Sequence, residues 1–470
     1  MSILKTIKGW IAGMFKGKAK ELFDIETITT AKMDSFVRQC VRIYQGTPDW
    51  LDDDDEIKTI NFAEVICAET ARLATLAIGV RVDGSSRAEY LQKQIDKVYY
   101  SLRTWVEYGL AYGTIVLKPS TDGVELFTNE RCILTDRDGD NVTGAVFVFN
   151  EEANDVYYTR LEYHRFAEDG AYLIDNKCFK GKAENDMREA VGIDQTPWAG
   201  LLESARIDNL EKPLFAVFRT PNANNIELDS VQGMPIFATA IEELKDLDIA
   251  YSRNATEIND SKRTVLMDAD KLFPFGRMSD IAALDKTIAT DRMRDKMGMP
   301  KYVRMVEGDG NTGFYQEINP TLNTVTREEG INFLLSVIGF KCGFSNGYFV
   351  LDQKTGMVTA TQVESDDRRT IQTIKDVRDK LQKCIEDLVY GMDIMADLYF
   401  LAPVGEYELI FDFGDITYNR EEDRSRWWSY VMSNKVPAWM FFVKFEGMTE
   451  EDAKAMVSEA TPKEEGLFPE

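Results

Sequence analysis

Histidine is nearly missing from this 470-residue chain, His164 being the one copy. Zinc sites built on two or more imidazoles are thereby excluded, and any catalytic triad has a single candidate base. Cysteine is also scarce. Cys40, Cys67, Cys132, Cys178, Cys342 and Cys384 form no C-x-x-C pair, so neither a disulfide scaffold nor a cysteine-rich metal site is indicated, and a reducing compartment fits. Cations are outnumbered, 55 Lys and Arg against 80 Asp and Glu, for a net charge of −25. Such a surface repels duplex DNA, which excludes a free-standing sequence-specific reader but not a passage through which DNA slides without sticking. No apolar run reaches the roughly 18 residues of a membrane span, and residues 333–340 are short and flanked by Arg327, Glu328 and Lys341. Residues 1–20 do not read as a secretion signal, because Lys5 and Lys8 interrupt the apolar positions and no A-x-A site follows. A phosphate-binding G-x-x-x-x-G-K-[ST] loop is lacking, and Asp412-Phe413-Gly414 has no kinase catalytic loop before it, since His164-Arg165 continues with Phe166.

What is present is ordinary globular material, 44% hydrophobic and 29% charged, long enough for about three domains. Ile3, Ile7, Trp10, Ile11, Met14 and Phe15 fall at helical spacing among lysines, which reads as a detachable amphipathic arm for another subunit or a membrane surface. The acids 52–56 read as a solvated loop. Helices are expected over 61–78 and from Tyr90 to Tyr108, ending at Gly109. The Asp122-Gly123 turn and the alternating runs that follow predict one antiparallel meander over 113–182, with His164 a structural strand residue. Three long helices are then expected, from Ile236 to Arg263, Thr324 to Lys341 and Thr359 to Leu398. A small α/β insertion lies between the first two, a strand at Tyr407–Phe413 follows the third, and helices are expected near 423–433 and 449–460.

Two groups invite chemistry. Asp268-Ala-Asp270 at a strand end has the hard oxygen ligands of a metal-dependent hydrolase or nuclease, although a polar turn reads as well. Glu242, Glu243, Asp246 and Asp248 are most simply a solvated helix face. On a channel wall they would repel phosphates at every register, with Lys262 and Arg263 at the helix end as backbone contacts.

Five motifs in a fixed order resemble the portal proteins of long-tailed bacteriophages and prophages: Tyr108-Gly-Leu-Ala-Tyr-Gly-Thr, Gly233-Met-Pro-Ile-Phe, Cys342-Gly-Phe-Ser with Gly347-Tyr-Phe, Met357-Val-Thr-Ala-Thr-Gln-Val, and Ile410-Phe-Asp-Phe-Gly-Asp. The resemblance implies an α+β, multi-domain subunit of a homo-oligomeric ring, usually of twelve copies in such proteins, at one capsid vertex. It implies no enzyme activity and no cofactor. The implied parts are an N-terminal arm with its acidic loop (1–60), a wing (61–232), stem helices (233–264 and 323–341), a clip (265–322), a tunnel loop (342–358), a spine helix (359–398) and a short crown with tail (399–470). The implied partners are further copies, the major capsid protein, a scaffold, the terminase large subunit, a head-to-tail connector and double-stranded DNA read without sequence specificity, with no stable membrane association. The place implied is the virion, after assembly in the bacterial host cytoplasm. Expected clip residues are Met293, Met297 and Met299. Expected tunnel-loop residues are Gly343, Phe344, Gly347, Tyr348, Phe349 and Gly356, the aromatics anchoring on neighbouring subunits and Lys354 touching DNA.

Overall fold

The computed structural model describes residues 15–51, 57–121, 123–184, 186–260, 264–268, 302–306, 315–318, 324–350, 368–414, 420–433, 435–446 and 448–460. The fold is mixed α+β. In chain order the elements open with helices α1 (15–23), α2 (Ala31–Tyr44) and α3 (Phe62–Ala74), strand β1 (Ile78–Gly84) and helix α4 (Ser86–Tyr112). Strands follow: β2 (Thr114–Pro119), β3 (Val124–Phe127), β4 (Cys132–Asp138), β5 (Asn141–Ala153), β6 (Val156–Phe166), β7 (Tyr172–Gly181), β8 (Glu189–Val191), β9 (Ser204–Ile207) and β10 (Ala216–Arg219). Then come α5 (Ile241–Asp260), β11 (Thr264–Asp268), β12 (Tyr302–Val306), β13 (Tyr315–Ile318), α6 (Thr324–Lys341), α7 (Arg368–Leu398) and β14 (Tyr407–Phe413). The chain closes with α8 (Arg420–Met432), α9 (Ala438–Glu446) and α10 (Glu450–Ala460). It divides into two compact units, Met1–Ala74 with Arg81–Ile410, and Thr75–Val80 with Phe411–Glu470.

In the larger unit the expected meander is split between two sheets. β2 and β3 form their predicted hairpin but join β10 in a three-stranded sheet, whereas β4 to β7 run antiparallel in a second sheet with β8 and β9 both on the far edge of β7. The reason lies in the period-2 alternation of β5. Ala145, Phe147 and Phe149 face the smaller sheet and pack with Val116, Phe127 and Phe215, while Val146 and Val148 face the other way. That second face is covered by α1, whose Phe15 and Ala19 are buried against Ile133, Leu161 and Phe179. The expected detachable arm is therefore, from residue 15 onward, part of the core. Burying a side chain the size of Phe15 is worth about 1.5–3 kcal/mol.

α4 runs past its expected end. Gly109 is not a helix stop but a clearance inside the helix, since a Cβ there would sit 2.5 Å from Cε1 of Phe218 on β10. The stop is Gly113, which takes φ 77° as the C-cap. α7 lies across α3, α4, β2 and β10 and is tied down by two buried arginines. Arg378 donates from Nε to the Ala74 carbonyl (3.0 Å) and from Nη2 to that of Leu73 (3.1 Å), satisfying two orphan carbonyls at the end of α3. Arg87 donates to the Asp393 carbonyl (2.8 Å) and Oδ1 (3.1 Å), to Asp397, and to the carbonyls of Ala402 (3.0 Å) and Pro403 (2.9 Å).

In the smaller unit, α9 is an element that periodicity did not signal. Its run Ala-Trp-Met-Phe-Phe-Val is apolar all round and shows no stripe. Phe441 and Phe445 are buried there, Trp428 meets Phe441 edge-on at 5.0 Å, and Lys444 lies 4.3 Å over the Trp427 ring.

Candidate functional site

Two helices and the small sheet between them form the region expected to meet DNA and partners. α5 begins later than its sequence pattern predicts. Residues 238–240 form a 3-10 turn, and the Ile236 amide is taken by the Leu110 carbonyl at 3.0 Å, which keeps the approach to the helix outside regular α geometry. α5 packs against α6. Between them β11 pairs parallel with β12 and antiparallel with β13, Thr264 lying opposite both Tyr302 and Ile318. Parallel pairing needs a connection of roughly a dozen residues or more, which the chain between Asp268 and Tyr302 supplies.

The four acids of α5 separate into three kinds. Glu242 and Asp246, four residues apart on one helix face, are exposed. Glu243 is paired with Nζ of Lys341, the last residue of α6. Asp248 corrects the expectation of a solvated face. It is buried and accepts from Trp50 Nε1 (3.0 Å) and the Ile60 amide (3.0 Å), and burial raises its carboxyl above the ordinary range against the pull of those hydrogen bonds. Asp268 ends β11 opposite Val306. Asp270, Lys262, Arg263, Met293, Met297, Met299, Lys354 and Gly356 lie outside the described residues.

The segment after α6 is anchored, and on its own chain rather than on a neighbour as expected. Phe344 is buried; its ring lies 4.7 Å from Phe349 and 5.0 Å from Tyr348. Phe349 meets Phe62 of α3 edge-on at 5.2 Å and fits beside Gly339, where a Cβ would lie 3.2 Å from its ring. The Tyr348 hydroxyl donates to Glu69, which also accepts a two-pronged contact from Arg72 (2.6 and 2.7 Å). Arg72 and then Tyr348 hold the Glu69 carboxyl below its ordinary range against the opposing effect of burial, while burial followed by Glu69 pushes the Tyr348 hydroxyl up to about 12. Gly343 and Gly347 take φ 89° and 81°, the positive values that make glycine the fitting residue in this tight path. Thr373 of α7 donates to the Gly343 carbonyl (2.8 Å), and Thr370 accepts from the Ser345 amide (2.8 Å). The Glu69, Arg72 and Tyr348 triad was not identified from the sequence. Its one visible trace is the Glu-x-x-Arg spacing on α3.

The one histidine belongs to a buried charged cluster between the two sheets of the larger unit. Arg160, Glu162 and His164 alternate along β6 and share a face. Glu162 accepts from His164 Nε2 (2.7 Å), Lys118 Nζ of β2 (2.8 Å) and Arg160 Nη1 (2.5 Å). His164 Nδ1 faces the Tyr172 hydroxyl at 2.9 Å, whose oxygen accepts from the Leu214 amide at 3.0 Å. A carboxylate only accepts, so Nε2 carries the proton and Nδ1 receives the tyrosine O–H, a neutral imidazole. Burial favours that form and lowers the His164 pKa despite its bond to Glu162. Burial opposes ionised Glu162, yet Lys118, His164 and Arg160 together hold its pKa well below the ordinary value. With Glu162, both His164 nitrogens and the Tyr172 hydroxyl paired inside the fold, the cluster is a tie between sheets, in keeping with a structural histidine.

Among the described residues, no three His, Cys, Asp or Glu side chains converge as metal ligands, and no helix is long and apolar enough to cross a membrane. No family model matches the sequence, and neither does any curated protein.

Proposed function

We propose that this chain is the subunit of a portal ring at one capsid vertex, the channel through which a terminase packages double-stranded DNA and through which the genome later leaves. The observation that carries the reading is the order of elements from α5 to α7. Two long helices pack together, the chain between them contributes a separate three-stranded sheet, and the described residues after the anchored turn at 343–350 resume in a third helix of 31 residues. Stem, clip, tunnel loop and spine are the corresponding parts of the resembled family. Exposed Glu242 and Asp246 suit a wall that repels phosphates and leaves DNA free to slide. The chain's task is then mechanical and electrostatic, with no bond made or broken. Its partners are capsid and scaffold on one side and, at the clip, terminase followed by a head-to-tail connector.

Negative-stain microscopy of the purified chain, alone and in assembled particles, tests this. Closed rings with a central hole are expected. A dimer that persists at every concentration and ionic strength, and inside particles, would sink the proposal.

A further inference from the structure

Phe400 has a backbone and an exposure that its own chain does not account for. α7 ends in a tight turn in which the Phe400 amide bonds to the Asp397 carbonyl (3.4 Å) and the Leu401 amide to that of Ala396 (2.9 Å). The residue at the pivot takes φ 54°, a conformation in which glycine is usual because the Cβ of any other residue crowds the backbone. A phenylalanine here bears that strain, and it is 93% exposed, so its ring gains almost nothing from burial in return. Tyr399, Leu401 and Val404 beside it are exposed too. The turn is nonetheless held, since buried Arg87 donates to the carbonyls of Ala402 and Pro403, and Ser85 Oγ donates to that of Glu406 (2.9 Å). A strained, fixed and solvent-facing aromatic is what a binding anchor looks like before its partner arrives.

The same unit also presents a concave counterpart. Phe333, Val337 and Phe340 lie three and four residues apart along α6, turned away from buried Leu335 and Ile338, and with Asn332, Ser336 and Asn346 they line an open groove with Glu329 at its edge. Phe333 is 68% exposed and Phe340 52%. Exposed Arg369 stacks its guanidinium 3.9 Å over the Phe340 ring, next to exposed Arg368. The anchor is flanked instead by exposed acids, Glu406 and Asp397, the latter paired with Arg87 of its own chain. An aromatic projection with acids beside it and an aromatic groove with cations beside it are complementary in shape and charge, and both are on one chain.

We infer that Phe400 of one copy seats in the α6 groove of the next, Glu406 approaching Arg368 and Arg369, in a head-to-tail contact that can repeat. The inference rests on the ring reading above and names the contact that would build the ring.

Two variants test it by sedimentation velocity. Phe400→Gly places the preferred residue in the turn, so the melting temperature should hold or rise by about 1–2 °C, while self-association weakens about 100-fold or more. Phe333→Asp, at an exposed position, should weaken association as much. Each variant alone should be monomeric. Mixed in equal amounts they should form a heterodimer and stop there, because one intact anchor meets one intact groove. Phe400→Gly associating like the wild type would overturn the contact, as would association that survives Phe333→Asp, or a wild-type chain monomeric up to about 100 µM. Rings that persist in Phe400→Gly would reject the contact and leave the portal reading standing. Wild-type assembly through Phe400 into open chains would keep the contact and reject the ring.

Discussion

Glu162 is a residue whose loss the larger unit should feel strongly, because removing its charge leaves buried Arg160 and half-buried Lys118 without the carboxylate they share. Glu162→Gln is expected to cost about 3–5 kcal/mol in denaturant unfolding. The same cluster sets an acid dependence. His164 has a folded pKa below its ordinary 6.5, so its neutral-state contribution is complete above pH 6.5 and drains as pH falls toward the lowered value. Glu162, held well below its ordinary 4.5, contributes above that pH and is lost only in stronger acid. Stability should therefore fall in two stages on acidification, and His164→Gln should flatten the first stage alone. An unfolding midpoint that does not move between pH 7 and 5 in the wild type would contradict the neutral imidazole. Arg87 makes a separate case. Its five hydrogen bonds need a planar fork, so Arg87→Lys keeps the charge but should still lose about 3 kcal/mol or more, read from the same unfolding curves.

Among the elements, α4 shows how a glycine in a helix is misread. Gly109 has the sequence appearance of a stop, yet its role is to let the Phe218 ring approach. Gly109→Ala should cost about 1–3 kcal/mol through overpacking, and Phe218→Leu in the same chain should recover part of it; equal stability of Gly109→Ala and wild type would show the contact to be slack. β2, β3, β5, β6, β7, α6 and β14 were legible in the sequence because each carries a short or helix-length apolar run bounded by glycine, proline or polar turns. The division into two sheets was not, since strand-to-strand pairing over long separations leaves no local mark. β10 joins β2 across about a hundred residues, a partner that only packing selects. In the candidate site, exposed Glu242 and Asp246 were legible from charge alone. Asp248 was not, because its burial comes from Trp50 and the Ile60 amide, far away in sequence.

At the scale of the whole molecule, the proposed channel would let DNA pass with very few cations in contact with it. Lys354 is the one Lys or Arg between Gly343 and Val358, and in the proposed ring a single lysine per subunit would offer each phosphate a weak, exchangeable contact. Lys354→Glu should leave folding and ring formation unchanged and lower the amount of nuclease-protected DNA per particle; full-length genomes retained at wild-type levels would remove the lysine from the channel. Arg87 carries a consequence of another kind, one of timing. Its side-chain partners lie 306 and 310 residues further along the chain. At translation speeds of about 5–20 residues per second, on the order of 15–60 seconds separate its synthesis from theirs. For that interval the guanidinium has no buried home, and the start of α4 waits for the end of α7. The larger unit is thus finished from its last residues backward. A transcript cut short before Asp393 should yield a protein that chaperones hold rather than release, even though most of its strands have already been made.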